Sequence, residues 1–406
     1  MRILLALAAA LAAPLSVDAV TIDTVLVGNP SNAPDLQPQG LFGRVTATYR
    51  IGETEVTNAQ YTEFLNAVAD ADPYALYNTN MGFSTKGGIT QSGSSGSYAY
   101  AVKPDVLVED PGGNYTYTYG DKPVVFVSWY DTIRFANWLH NGQGSGNTET
   151  GAYTLLGGTP TPSNADSITR SAGAKWFLPS EDEWYKAAYF DGSTSTYLDY
   201  PTGSNTAPNN NLPAADTGNS ANYIVGVNTT TGNLDYPYTP AGAYPLSDSR
   251  YGTLDQAGSV WEWNETLISA GVRGRRGGAW NSDATTLIRS NQGSQTATFH
   301  TDSVGFRVAS IPDPGELLGD FNGDGTVDAA DYVVWRKMGG GVEQYNQWRA
   351  NFGMSSPGGG SVTVHAVPEP ASILVLLSGS FVVFCCRRPN RSLIREIQSN
   401  CQVPRA

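Results

Sequence analysis

Apolar residues recur along this chain in three short helical patterns separated by long polar stretches. In EVTNAQYTEFLNAVA, Tyr61, Phe64, Leu65 and Val68 share one face of a 3.6-residue period, and Thr57 with Gln60 has capping-box spacing, so a helix is expected from about Asn58 to Ala69. In PVVFVSWYDTIRFANWLHNG, the unbroken apolar run predicts a short strand over Pro123 to Val127. A helix should follow it, opened by Ser128 with Asp131 three residues on and closed near Asn141 and Gly142. LPSEDEWYKAAYF repeats the device with Ser180 and Glu183. The adjacent Glu181, Asp182 and Glu183 are read as cap and helix-dipole groups rather than a catalytic carboxylate pair. Gly/Ser/Asn-rich stretches such as Gly93 to Gly96 and Gly203 to Asn211 run between these segments. The expected body is loop-rich α+β.

The two ends have a different pattern. Met1 to Ala19 carries Arg2, an apolar run from Ile3 to Leu15 and the small-residue ending Val17-Asp18-Ala19, the layout of a signal peptide at residues 1–19. Near the other end, Pro368-Glu369-Pro370 precedes an apolar run from Ala371 to Cys386, followed by Arg387, Arg388, Arg391 and Arg395. Such a run makes about 24 Å of helix against a hydrocarbon core of roughly 30 Å, which predicts a thin or transient span with the arginines kept in the cytoplasm. The arrangement resembles the PEP-CTERM sorting signal over residues 367–406. That resemblance implies an exported bacterial cell-envelope protein, handled by an exosortase-type machinery and held at the membrane transiently or permanently by its C-terminal segment.

Composition narrows the chemistry. Among 406 residues with 45 Gly and 24 Pro, helices should be a minority. The formal net charge of −13 repels phosphate backbones, so no nucleic-acid partner is expected. All three cysteines, Cys385, Cys386 and Cys401, lie in or beyond the terminal apolar run. The exported body therefore has no thiol, disulfide or cysteine metal site.

YGTLDQAGSVWEW at 251–263, RRGGAW at 275–280 and SVGFRVAS at 303–310, taken with the three helical segments, carry a family resemblance. Residues 43–310 resemble the formylglycine-generating enzyme, or sulfatase-modifying factor, domain of the C-type-lectin-like fold, and the domain is placed at residues 20–312. In the oxidases of that family, the strand after the Gly-Gly-Ser/Ala-aromatic turn carries two cysteines that bind Cu(I). Counting from Gly277-Gly278-Ala279-Trp280, those places hold Ser282 and Leu287. Cu(I) selects thiolate over hydroxyl, and leucine offers no lone pair, so no copper and no formylglycine-generating oxidation are expected.

Two calcium sites are implied by the same resemblance. One uses Asp255, the carbonyls of Gly258 and Val260, and Glu262; the other uses Asn222, the carbonyl of Tyr223, and Asp235. His140, His300 and His365 are the only histidines, too scattered for a three-histidine iron site. A hydrolytic set of Ser282 with His300 and Asp283 or Asp302 lacks a nucleophile-elbow pattern. Arg276, Arg289 and Arg307 are candidates either for lining a residual cleft that favours an anionic or peptide ligand or for structural ion pairs.

DFNGDGTVDAAD has oxygen donors at alternate positions of a twelve-residue loop: Asp320, Asn322, Asp324, the carbonyl of Thr326, Asp328 and Asp331, with Gly325 at the sharp turn. A hard, large cation needs such a ring of oxygens. Residues 313–354, with Tyr332 and Trp335 facing Tyr345, Trp348 and Phe352, resemble a dockerin module, although VEQYNQWRANF has no second calcium loop. The resemblance implies a cohesin-like partner. Residues 355–366 read as a flexible spacer. The expected function is a calcium-stabilised surface protein that binds an envelope glycan or peptide. The alternatives are a divergent enzyme of the formylglycine-generating or non-haem-iron superfamily using the same cleft, and a cohesin-docking assembly component.

Overall fold

The computed structural model describes residues 19–109, 113–158, 160–312, 317–322, 324–337 and 342–355. Nearly all of the signal-peptide segment, the whole sorting signal with Pro368, Glu369 and Pro370, the apolar run 371–386 and nearly all of the spacer lie outside the described residues. Among the described residues, no helix is long and apolar enough to cross a membrane.

Each of the three expected helices forms with its capping box complete. Helix α1 spans Asn58–Val68, α2 spans Trp129–His140 and α3 spans Glu181–Tyr189. In all three the N-cap hydroxyl (Thr57, Ser128, Ser180) accepts the N3 backbone N–H, and the N3 side chain (Gln60, Asp131, Glu183) accepts the N-cap N–H. Two otherwise orphaned donors are satisfied per helix, which fixes where each one starts.

The strand expected over Pro123 to Val127 does not form. Val124 donates to the Val56 carbonyl, but Phe126 has a left-handed φ of 65°, which ends any extended run. The segment is buried all the same, so its apolar run reflects core packing, not pleating.

Two four-stranded sheets organise the domain. Strands β1 (Thr24–Val27), β2 (Tyr49–Gly52), β3 (Trp176–Phe177) and β8 (Ala309–Ser310) pair in the order β1-β2-β8-β3, all antiparallel. The first and last thirds of the domain are thus stitched together by the pair β2 and β8. Strands β4 (Trp261–Ser269), β5 (Val272–Arg276), β6 (Gly293–Thr296) and β7 (Val304–Gly305) pair in the order β6-β5-β4-β7, with β7 parallel to β4. Long loops with short two-stranded ribbons fill the rest, a mixed α/β architecture.

Aromatic contacts join helices to sheets. Tyr61 and Phe64 of α1 meet Phe135 of α2 at centroid distances of 6.0 and 5.3 Å, and Phe135 meets Phe306 edge-on at 5.3 Å. Each such pair contributes about 0.5–1.5 kcal/mol beyond area burial. Beyond the large domain, α4 (Ala329–Lys337) and α5 (Val342–Asn351) pack through Tyr332, Trp335, Tyr345 and Trp348, the facing pattern expected from the sequence.

Candidate functional site

The turn after β5 is built by two glycines. Gly277 and Gly278 have φ of 96° and 75°, and a Cβ at Gly277 would lie 2.9 Å from the Gln256 carbonyl, so only glycine fits there. Gly258 donates to the Gly277 carbonyl at 2.8 Å and Trp280 donates to the Ser259 carbonyl at 2.9 Å, which ties the turn to the DQAGSVWEW segment. The next residues form a one-turn helix, Ala284–Leu287, capped by Asp283, where a strand was expected.

Ser282 closes this turn. Its Oγ accepts the Ala279 N–H at 3.0 Å and its carbonyl accepts the Ile224 N–H at 2.9 Å. No histidine or carboxylate bonds to that hydroxyl among the described residues. His300 has its Nδ1 on the Thr298 carbonyl, Asp283 caps the short helix and Asp302 pairs with Lys86 at 3.2 Å, so the hydrolytic set is not assembled. Leu287 has 0% exposure and packs with Ala221, Tyr223 and Ala257. This position is hydrocarbon, with no lone pair to offer a metal.

Beside the turn, Trp280 is covered by the Lys86 ammonium at 5.2 Å from its ring centre and donates its indole N–H to the Asp302 carbonyl at 3.2 Å; that carbonyl also accepts the Tyr238 hydroxyl. Residues 298–302 lead from this cluster to a recess of about 400 Å³, lined by Tyr74, Tyr77, Phe126, Tyr130 and Asp131 among others. Asp131 Oδ2 accepts both the backbone N–H and the hydroxyl of Ser128 at 2.7 Å. Burial pushes the Asp131 carboxyl up to about 7, against the lowering effect of those Ser128 bonds. Sequence reading assigned Asp131 only to a cap and missed the recess, because Tyr74 and Tyr77 come from a loop without periodicity.

The three candidate arginines do not line a cleft. Arg276 is fully buried and pairs with Glu181, and Arg307 is fully buried and chelates Glu262 at 2.6 and 2.7 Å. Arg289 bridges Asp35 and Asp199 at 2.7 and 2.9 Å. All three are structural ion pairs, so the cleft reading is corrected; Glu181 is a buried counter-ion as well as a first-turn residue.

The sulfatase-modifying factor enzyme 1-like domain matches this chain over residues 33–311. The chain belongs to that family. Hercynine oxygenase of Mycolicibacterium smegmatis is 25% identical over 221 residues, which cover 54% of this chain and 38% of that protein, so the chain matches well under half the length of this relative. Among solved structures, CarF aligns with TM-score 0.46 and 21% identity over 72% of this chain and 99% of its own. Variable protein 1 of Treponema denticola gives 0.45 and 20% over 73% and 98%, and PvdO from Pseudomonas aeruginosa gives 0.38 and 15% over 72% and 92%.

In this sulfatase-modifying-factor-like domain, the residues expected to hold calcium are only partly gathered. Among the described residues, no group of three or more His, Cys, Asp or Glu side chains is placed to hold a metal ion. Asn222 has 1% exposure, donates its Nδ2 to the Pro237 carbonyl at 3.0 Å, and leaves its buried Oδ1 without a hydrogen-bond partner. An orphaned buried amide oxygen is a hard donor of the kind a hard cation takes. The Tyr223 carbonyl accepts the Thr230 hydroxyl at 3.2 Å, and Asp235 is exposed.

Gly258 is required by contact, since a Cβ there would sit 2.1 Å from the Asn222 carbonyl oxygen. Asp255 has a left-handed backbone, accepts the Gly242 N–H at 2.5 Å through Oδ2, and is pushed up to about 6 by burial. Glu262 is the counter-ion of Arg307 and also accepts the Trp184 indole N–H at 2.7 Å, while Val260 is fully buried. Sequence reading missed Glu55, which has 1% exposure and neither carboxyl oxygen hydrogen-bonded. Three buried carboxyls (Glu55, Asp255, Glu262) thus act on one guanidinium, and burial pushes the carboxyls of Glu55 and Asp255 up, so that bound protons offset the deficit.

The loop at residues 320–331 is organised by its own oxygens. Asp320 Oδ2 accepts the Gly325 N–H at 2.8 Å, Asn322 Oδ1 accepts the Asp324 N–H at 2.9 Å, and Asp331 accepts from Asn322 and Asp328 at 3.0 and 2.8 Å. Asp331 is fully buried, and Val327 donates to the Met354 carbonyl, returning the chain to the loop. Thr326 forms a bridge with Ser355.

Proposed function

We propose that this chain is an exported cell-envelope protein whose sulfatase-modifying-factor-like domain binds a ligand and does not carry out the copper-dependent oxidation. The observation that carries this reading is the pairing of a fully buried Leu287 with a Ser282 hydroxyl committed to its own turn. Neither position offers a soft donor. The recess above Asp131 is the pocket we assign to the ligand, because it combines aromatic walls with convergent polar groups. Export and sorting are read from residues 1–19 and 367–406.

The reading is tested by incubating the purified protein with copper and a cysteine-containing sulfatase-type peptide. No formylglycine should form. Formylglycine production at a catalytic rate would overturn the binding assignment.

Calcium enters as part of the same proposal. Asn222 and the ring of residues 320–331 supply the oxygen donors, and calcium would contribute charge compensation and loop closure there. A cation present at a hundred times its dissociation constant stabilises the folded state by about 2.7 kcal/mol. Chelation should lower the melting temperature, and an unchanged melt would remove calcium from the account.

A second reading keeps an enzyme in this cleft. The Asp131 recess favours it, since a carboxyl titrating near neutrality is suited to moving a proton. Turnover lost on Asp131→Asn with the fold intact would support it. In the third reading, residues 319–353 dock onto a cohesin-like partner; pull-down of an envelope partner that survives deletion of this module would count against that.

A further inference from the structure

We propose that Arg275, on β5, is an oxyanion-binding site that takes a carboxylate or sulfate group from a ligand at the face of the sheet β6-β5-β4-β7. Arg275 and the rings that hold it are not among the residues lining the Asp131 recess, and the proposal does not rest on the reading of that pocket.

The case begins with a comparison among arginines. Arg134 is matched to Glu149, Arg170 to Glu183 and Glu265, Arg276 to Glu181, Arg289 to Asp35 and Asp199, and Arg307 to Glu262. Arg273, two residues from Arg275 on the same face of β5, donates to the carbonyls of Glu265, Ala165 and Ile168. Arg275 is half-buried like several of these, yet among the described residues its guanidinium has no oxygen acceptor, and its Nε is shielded from solvent without a partner. With Nε enclosed, the Nη donors of the fork are left to be satisfied from outside the fold.

The surroundings hold that fork in place. The guanidinium carbon lies 4.6 Å from the Trp261 ring centre and 5.6 Å from that of Phe299. Aromatic rings against the face of a guanidinium immobilise its plane while leaving the in-plane N–H edges free. Trp261 and Phe299 are themselves half-buried, so the edge of this cluster is open to a ligand.

Gly293 is the second observation. It is the cross-strand partner of Arg275, and a Cβ there would come within 2.6 Å of the Trp261 ring and 3.0 Å of Arg275 Cγ. Glycine weakens a strand, and this one has no left-handed φ to justify it. Its service is to let Trp261 and Arg275 lie flat against the sheet. A planar or tetrahedral oxyanion is the ligand that such an edge recognises, because two parallel N–H donors match two oxygens of carboxylate or sulfate. An acidic sugar and an acidic peptide both carry that group.

The test is a titration of the ¹⁵N-labelled full chain, following the Arg275 Nε–H resonance, assigned by its absence in Arg275→Met. The probes are glucuronate, N-acetylaspartate amide and inorganic sulfate at constant ionic strength, with chloride as the control. A saturable shift with at least one probe is expected, and the affinity by calorimetry should fall about tenfold in Arg275→Lys because a point charge loses the fork geometry. The tighter of the two carboxylates identifies the sugar or peptide source. No saturable shift beyond chloride, or equal affinity for a probe in Arg275→Met by calorimetry, overturns the proposal. Should the Met variant fail to fold, Phe299→Leu decides, since a genuine clamp loses affinity when one ring is removed and an indifferent surface arginine does not.

Discussion

The turn at residues 277–287 and the loop at 320–331 are opposite cases of what a motif retains. In the turn, everything that shapes the backbone is present: Gly277 against the Gln256 carbonyl, Gly258 against Asn222, and the Ser282 hydroxyl closing on Ala279. The two positions that the resemblance matches to the family's cysteines hold Ser282 and Leu287. In the loop, the oxygen-bearing side chains are all present, and they already organise their own backbone, Asp320 holding Gly325 and Asp331 holding Asn322 and Asp328. The lesson is that scaffold chemistry and reaction chemistry are separable. A site can keep its geometry after losing its reagent when the geometry also serves the core.

That comparison is sharpened first by the ion cluster behind the turn. Arg307 places all five donors, two on Glu262 and one each on the carbonyls of Gly52, Glu53 and Leu254. Arg307→Met should cost about 3–5 kcal/mol, because Glu262 is left as an uncompensated buried charge beside Asp255 and Glu55. Denaturant unfolding measures it. A loss under about 1 kcal/mol would mean that the cluster is held by something other than this arginine. Leu287→Ala comes next, at about 2–5 kcal/mol for a buried leucine in a closed cluster. A small cost there would indicate that the Leu287 site tolerates a cavity.

A third effect depends on pH. The folded Asp131 carboxyl titrates near 7 and the unfolded one near the ordinary aspartate value of 3.8, so the folded state holds the proton more tightly. The stability this contributes is complete below pH 3.8 and is lost as pH rises through about 7. Asp131→Asn keeps an acceptor for Ser128 and removes the titration. Denaturation midpoints between pH 4 and 8 should therefore fall for the native chain and stay flatter for the variant; parallel curves would assign the pH dependence elsewhere.

How much of this was legible in the sequence follows from the range of the interactions. The three helices were readable because capping boxes and apolar faces are local, and the GGAW turn because its glycines are adjacent. The strand over 123–127 was misread because an apolar run records burial, and nothing local announces the left-handed backbone of Phe126. Glu55 and Arg275 were invisible for the same reason. Their significance lies in partners they lack in space, Glu55 beside Asp255 and Arg275 between Trp261 and Phe299. Arg276 and Arg307 were left between cleft and core, since a sequence shows a guanidinium but not its acceptor.

The smallest effect is the one that separates a vestige from a working group. Ser282→Ala removes a single hydrogen bond, from the Ala279 N–H to Oγ, in a turn otherwise fixed by Gly258 and Trp280. The expected loss is about 1 kcal/mol, the net worth of one neutral bond. Ligand binding in the Asp131 recess should be unchanged, because Ser282 is not among its walls. If the alanine variant instead loses binding or a measured turnover while its melt moves by only that small amount, Ser282 is still part of a functioning centre. The contrast between a retained scaffold and a lost reagent would then have to be drawn at Leu287 alone.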